Sequence, residues 1–281
     1  MGLLKSSGTI ETIGAEKAKD WIAGQKDDEI TVLDVRQPQE YSIAHIPGAV
    51  FIPLPELIDR IVELDRSKSV IAYCRSGNRS RSAAALLVSD GFRSVFNLDG
   101  GIKAWNGFVA QGDYGKGMHL LKGGETSEEL IMLAWSLEDG SRLFYEKASA
   151  MISDNESKEL LRLLMSAEAR HKEHIMTAYK IVAGAEIEEE VLEKAAHKGI
   201  MESGEQVEDV IDALRKNNAA LEDILEVSMQ VEVNALDLYI KMLREIKNER
   251  VVSVFASLID EEKRHLSRLG KLLGEKFHPN S

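Results

Sequence analysis

The sequence of 281 residues predicts a multi-domain chain: an N-terminal α/β unit with a parallel sheet and helices on both faces, then a C-terminal all-α four-helix bundle. Three observations lead there. Over roughly the first hundred residues, short Val- and Ile-rich runs alternate with helix-compatible stretches, the pattern of a parallel sheet covered on both sides. From Glu125 onward no such run remains, and apolar residues recur three and four apart. Between the two lies the tract from Asn106 to Gly124, dense in glycine and without periodicity, which reads as a linker. The bounds expected on this basis are 1–110 for the first domain, 111–125 for the linker and 126–275 for the bundle.

Taken in order, 30–35, 70–74 and 94–98 are the expected strands, with helices at 55–64 and 80–89 between them. The stretches 126–153, 154–183, 220–247 and 251–274 are expected to be four long amphipathic helices. Asp154 or Asn155 can cap the second of these and Gly184 can end it. Residues 185–218 hold one or two short helices and are long enough to cross between two helical hairpins, as in ferritin-like bundles.

Composition and charge narrow the function classes. Hydrophobic residues at 44% and charged residues at 29% provide for a core, while five prolines and 21 glycines exclude a collagen-like or Pro-rich chain. No apolar run reaches the ~18 residues that would span a bilayer, and the N-terminus has no apolar stretch of the kind that directs export. The net charge is −12, of which residues 1–112 contribute −1 and the remainder −11. An acidic chain is repelled by phosphate backbones and by anionic membranes, so neither nucleic acid nor membrane is an expected partner. A single cysteine, Cys74, leaves no intramolecular disulfide and no multi-cysteine metal site within one chain, which fits a cytoplasmic setting.

The helical half contains a repeat. Glu138 is followed seven residues later by Tyr145, and Glu232 seven residues later by Tyr239; Glu168-Ala-Arg-His171 and Glu262-Lys-Arg-His265 complete the two sets. Adding 94 to 138, 145, 168 and 171 gives 232, 239, 262 and 265, the mark of a duplicated helical hairpin. Residues three apart share a helical face, so each Glu-x-x-His presents an oxygen and a nitrogen ligand together. One Glu from each of two helices, with one Glu-x-x-His from each of the others, is the donor set of di-iron and di-manganese carboxylate bundles. Without cations, four core carboxylates would repel one another and shift toward protonation. A single Glu-x-x-His on an acidic helix is an ordinary solvated face; two in register with two further Glu are not. Tyr145 and Tyr239 read either as core aromatics or as hydroxyls near the Glu stripe, His174 as a surface or supporting group, and Trp135, Met132, Met165, Met229 and Met242 as core.

Over about residues 126–275 these motifs resemble the rubrerythrin branch of the ferritin-like family. The resemblance implies two iron ions per bundle, with manganese or zinc as alternatives, bridged by Glu168 and Glu262. It makes Glu138 and Glu232 terminal ligands and gives each iron one of His171 and His265. Two departures stand out: Ala235 occupies the place of a second Glu one turn after the third-helix ligand, and one cysteine cannot build the four-cysteine rubredoxin module usual in that family.

In the α/β half, Cys74 is expected at the end of a strand and opens the run Cys74-Arg-Ser-Gly-Asn-Arg-Ser80 before a helix. Unpaired N–H groups at that helix start, with Arg75 and Arg79, favour a thiolate, and Gly77 lets the loop bend around the sulfur. With Leu33-Asp-Val-Arg36, Glu40-Tyr, Ala44-His-Ile-Pro-Gly-Ala49 and Asp99-Gly-Gly-Ile-Lys-Ala-Trp105, this run resembles the rhodanese family over about residues 8–110, with Ala44 where a Gly is usual. The six-residue loop 74–79 suits sulfur transfer in that family, whose phosphatase relatives use one residue more. The resemblance implies that the Cys74 thiolate takes the outer sulfur of a donor such as thiosulfate, releases sulfite, and passes the persulfide sulfur to a thiol or cyanide. Arg75 and Arg79 would attract the anion and stabilise charge on the leaving group, and Ser76, Gly77, Asn78 and Ser80 would line the site. Asp34, Arg36 and Glu40 are expected to brace the loop and His45 to stabilise its turn. The function expected is a sulfurtransferase fused to a di-iron domain with a peroxide-reducing or oxidative-stress role, the protein forming a homodimer through the bundle. The alternatives are an iron-storage protein, or a bundle that serves only as a dimerisation platform.

Overall fold

A computed structural model describes residues 9–24, 29–113, 126–185, 199–201, 203–246 and 248–277. The chain divides into two compact units, Met1–Tyr114 and Gly115–Ser281. No described helix is long and apolar enough to cross a membrane.

The first unit runs β1 (Thr9–Ile13), α1 (Ala15–Gly24), β2 (Ile30–Asp34), α2 (Pro38–Ile43), β3 (Val50–Phe51), α3 (Leu57–Arg60), β4 (Ser69–Tyr73), α4 (Asn78–Ser89) and β5 (Ser94–Leu98). Its sheet has the order β1-β5-β4-β2-β3 and is parallel throughout. Strand alternation sends Val32, Ile71 and Tyr73 into a core with Ala18 and Tyr41, while Leu33, Ala72 and Cys74 enter a second core with Leu57, Ala83 and Leu87. Helices therefore cover both faces, as expected. The connection leaving β2 runs outward to β3 and that leaving β4 runs the other way to β5, so the order reverses between β2 and β4. In such sheets ligands bind beyond the strand ends at that switch, and Cys74 follows β4 directly.

The sequence reading omitted β1, α1, α2 and β3. β1 is an edge strand whose Ile10 is 40% exposed, so it carries no continuous apolar run. The helix expected at 55–64 is interrupted: α3 is one four-residue turn between 3-10 turns at Leu54–Glu56 and Ile61–Glu63. Leu57, Ile61 and Leu64 are nonetheless all buried, which the expected periodicity requires. The glycine-rich tract begins attached to this unit, because Ala110 exchanges two backbone hydrogen bonds with His45 and Gly112 N–H donates to Ser42 O. Its continuation, 114–125, lies outside the described residues.

The second unit comprises α5 (Ser127–Met151), α6 (Asn155–Ala183), α7 (Val207–Lys216), α8 (Leu221–Glu245) and α9 (Glu249–Phe277). The bounds of α5 and α6 repeat at 94 residues in α8 and α9, with lengths of 25 and 29 residues in both halves. The ends have local causes. Thr126 and Glu129 form a reciprocal capping box, Asp154 caps α6 through Ser157 N–H, and Gly184, at φ 69°, closes it. α7 supplies one short helix of the segment between the pairs; 186–198 lies outside the described residues. Tyr145, Leu161, Leu164, Ile211, Leu225 and Leu269 belong to one continuous core.

Gly140 lies inside α5, where the turn at 200–201 crosses the helix. A Cβ at 140 would stand 2.0 Å from the Ile200 carbonyl oxygen. Glycine in a helix interior ordinarily costs about 1 kcal/mol against alanine. Here the sign reverses: Gly140→Ala should lower stability by about 1–3 kcal/mol through overpacking, read as a lower midpoint in chemical unfolding.

Candidate functional site

The first candidate site is the loop 74–79. Cys74 leaves the central strand β4 and is 1% exposed. Its Sγ accepts hydrogen bonds from the Gly77 N–H at 3.2 Å and the Ser80 hydroxyl at 3.5 Å. Gly77, at φ 94°, is the residue before α4, so the free N–H groups of that helix start curl around the sulfur. Burial pushes the thiol up, but the Ser80 hydroxyl and the N–H groups of Ser80, Ser76 and Gly77 outweigh it and hold Cys74 below the ordinary thiol range.

The loop is held from behind. Ile102 N–H donates to Cys74 O at 2.8 Å and Lys103 N–H to Arg75 O at 3.2 Å. A Cβ on Gly101, already at φ 59°, would lie 2.3 Å from Cys74 O, so glycine is required there. The sequence motif 99–105 thus owes its second glycine to contact with the loop. Arg36 pairs with Asp34, with Nη2 2.6 Å from Oδ2, and donates to Ala44 O at 2.7 Å. His45 stacks on Tyr41 and lies 3.0 Å through Nδ1 from Tyr41 O, within the turn it was expected to stabilise. Arg79 forms a two-pronged pair with Glu40, both bonds 2.7 Å, and this guanidinium holds Glu40 below the usual carboxylate range. Arg75, Ser76 and Asn78 are exposed at the rim. The sequence reading did not single out Asn97, which accepts the Ser80 hydroxyl at 2.6 Å.

The second candidate site lies inside the bundle. Glu138, Glu168, Glu232, Glu262, His171 and His265 are all at most 3% exposed. Three carboxylates converge on His171 Nδ1: Glu168 at 2.9 Å, Glu138 at 3.1 Å and Glu262 at 3.4 Å. Around His265 Nδ1 stand Glu232 at 3.1 Å, Glu262 at 3.5 Å and Glu168 at 4.0 Å. The two imidazoles stack with centroids 5.5 Å apart. The tyrosines cross between halves: Tyr145 hydroxyl donates to Glu232, and Tyr239 hydroxyl to Glu138. Of the two readings left open for them, both hold, since each is buried and each binds a carboxylate. His174 is exposed, Trp135 and Met242 are buried, and Met132, Met165 and Met229 are half-buried.

Electrostatics follow from crowding like charges in a dry interior. Burial opposes charge on His171, but Glu138 above all, then Glu262 and Glu261, push it up to about 10. Burial likewise opposes the Glu232 carboxylate, and His265 brings it down to about 2. Burial, with Glu232 and Glu168 alongside, drives Glu262 well above the carboxylate range. One Glu262 oxygen is buried without a hydrogen-bond partner. Donor atoms of Glu138, Glu168, His171 and Glu262 lie within 4.8 Å of one another, as do those of Glu168, Glu232 and His265, with Glu168 common to both groups. A hard or borderline divalent cation fits each group. Sequence reasoning missed Glu261, whose carboxylate lies 3.0 Å from His171 Nε2, opposite the nitrogen facing the cluster. Its counterpart in the first half is Ala167, so a comparison of the two repeats was the available signal.

Comparison with known proteins agrees with both architectures. The rhodanese-like domain family matches residues 15–107 and the rubrerythrin family residues 129–273. A putative sulfur carrier protein from Bacillus subtilis, YrkF, is 37% identical over 37% of this chain and 55% of its own length. The chain thus spans about half of that relative. The thiosulfate sulfurtransferase GlpE of Pseudomonas paraeruginosa is 34% identical over 35% of this chain and 86% of its own length. A rhodanese-related crystal structure from Thermoplasma volcanium is 32% identical, covering 36% of this chain and 97% of that one, with a TM-score of 0.32. With just over half its length matched by the rubrerythrin family, the chain belongs to that family and carries a rhodanese-like domain of the sulfurtransferase class ahead of it.

Proposed function

We propose that the first unit is a sulfurtransferase that works through a persulfide on Cys74, and that the second holds a carboxylate-bridged pair of iron ions. The observation that carries the first part is the sulfur itself, ringed by N–H and hydroxyl donors at a helix start. The Cys74 thiolate attacks the outer sulfur of thiosulfate, the S–S bond breaks, and sulfite leaves with the electron pair. The persulfide so formed gives its outer sulfur to a thiol or cyanide, and the returning thiolate is held by the same donors. Arg75, exposed at the rim, draws in the anion. Arg79 is engaged by Glu40, so its task is to hold the loop and lend charge to the sulfur more than to meet the donor.

In the second unit Glu168 and Glu262 would bridge the metals, Glu138 and Glu232 would be terminal ligands, and His171 and His265 would each bind one ion. Bound iron supplies one-electron redox chemistry there, suited to peroxide reduction or a role in oxidative stress. Glu261 fixes His171 with Nδ1 toward the cluster, and Tyr145 and Tyr239 orient the terminal carboxylates. A bundle serving only as a dimerisation platform would gain nothing from four buried carboxylates, each costly to desolvate.

The test is one preparation assayed twice, for sulfur transfer from thiosulfate to cyanide and for iron, manganese and zinc per chain. Turnover at the uncatalysed rate overturns the first part, and a metal-free chain after expression in iron-replete medium overturns the second. The pH profile is also fixed in sign. Only the thiolate attacks, and Cys74 titrates below an ordinary thiol, so the pre-steady-state rate of sulfite release should rise with pH and level off before that range is reached.

A further inference from the structure

Beneath Cys74 lies a polar group that the sulfur-transfer scheme does not use. Asn97 sits in β5 beside the end of β4, is 1% exposed, and receives the Ser80 hydroxyl on its oxygen at 2.6 Å. Its Nδ2 is buried with no hydrogen-bond partner. That nitrogen stands 3.7 Å from where a Cβ on Gly77 would lie, against the residue whose N–H reaches the sulfur. The Ser80 hydroxyl has one proton and two acceptors, Asn97 Oδ1 at 2.6 Å and Cys74 Sγ at 3.5 Å. It serves only one at a time. With Oδ1 toward Ser80, the proton goes to the amide and two buried N–H bonds are stranded. A half-turn of the carboxamide lets Nδ2 donate to Ser80 Oγ, and the hydroxyl proton is then free for the sulfur. The exchange leaves one N–H and a carbonyl unpaired in place of two N–H bonds, the less costly arrangement.

We propose that Asn97 is a positioning residue that turns its carboxamide to donate to Ser80 and so aims the Ser80 hydroxyl at Cys74 whenever the sulfur carries charge. When the sulfur is capped as a persulfide its inner atom loses that charge, and the hydroxyl returns to Asn97. The role rests on the reading of Cys74 as the working thiolate, but its test needs no sulfur donor. Other charges about the loop are Arg75, Arg79 with its partner Glu40, and Asp99 and Lys103 behind it. Substitution of Asn97 leaves all of them in place.

The experiment follows the ultraviolet absorbance of the Cys74 thiolate against pH in the full chain, with Cys74→Ser subtracted as the blank. Asn97→Asp puts an acceptor-only, charged group against Ser80, so the ratio of thiolate to thiol at a given pH should fall about tenfold, one unit of apparent pKa. Asn97→Ala should lower it about threefold, a fraction of one neutral hydrogen bond. The decisive comparison is a double-mutant cycle: Asn97→Ala should have no further effect in a Ser80→Ala background, because Asn97 acts through that hydroxyl. An equal effect of Asn97→Ala with and without Ser80 overturns the proposal, as does an unchanged titration in folded Asn97→Asp. Should Asn97→Asp not fold, the cycle alone decides. If the cycle holds while wild-type protein fails to turn over thiosulfate, the sulfurtransferase reading falls and the role of Asn97 stands.

Discussion

Cys74→Ser should remove sulfur transfer to cyanide down to the uncatalysed rate and leave the metal content of the chain unchanged. The loss is expected to be total because this is the only cysteine in the sequence, so no neighbouring thiol can carry the sulfur instead. A serine hydroxyl in the same cradle would meet the same donors but would stay protonated, and an alcohol forms no persulfide. The fold should tolerate the change, since Sγ is held by donors that an oxygen also accepts. Steady-state cyanolysis of thiosulfate, with metal analysis of the same samples, reads both halves. Residual turnover near wild type would remove Cys74 from the mechanism.

Glu168→Ala should lower metal occupancy at both positions together, because Glu168 belongs to both donor groups. Substitution of a terminal carboxylate such as Glu138 should weaken one position more than the other. The stability effect changes sign with the metal. Without metal, Glu168→Ala removes one of four crowded carboxylates and should leave the bundle as stable as wild type or more so. With metal, ligand that binds only the folded chain adds about 2.7 kcal/mol at a hundredfold excess over its Kd, and the variant forfeits much of this. Thermal unfolding of wild type and variant, each with and without chelator, gives the four midpoints. A variant equally destabilised in both conditions would make Glu168 a packing residue and not a shared ligand.

Much of this was legible in the sequence, for reasons that differ between the halves. Helical period fixes which residues share a face, and the 94-residue repeat fixed the register of Glu138, Glu168, His171 and their twins before any packing was known. Cys74 was legible because a strand, a glycine and a helix start within a few residues dictate where the sulfur must point. Other features needed three dimensions. Asn97 is an unremarkable polar residue in a strand until Ser80 arrives from α4 across 17 positions of sequence. The need for glycine at 101 comes from its left-handed φ of 59° and from the loop backbone passing 2.3 Å from its absent Cβ, and neither shows in the sequence. Glu261 was hidden by its neighbour Glu262, since two adjacent acids on an acidic helix carry no local signal. β1 escaped because Ile10, Glu11 and Thr12 of this edge strand are all exposed and only Ile13 beside them is buried, whereas the central strands run continuously apolar.

The repeated hairpin also predicts an order of events during folding. α5 meets α6, and α8 meets α9, across connections of three residues at 152–154 and 246–248. Such local contacts close fast and at little entropic cost. The bonds that join the hairpins are remote: Tyr145 to Glu232 spans 87 positions, Tyr239 to Glu138 spans 101, and His171 to Glu261 spans 90. Each hairpin is expected to form first, with Glu138 and Glu168 meeting at His171 in one and Glu232 and Glu262 at His265 in the other, and the two pairs come together when the hairpins dock. Docking of the hairpins is therefore the step that a captured cation should accelerate, while hairpin formation should proceed at the same pace with or without one.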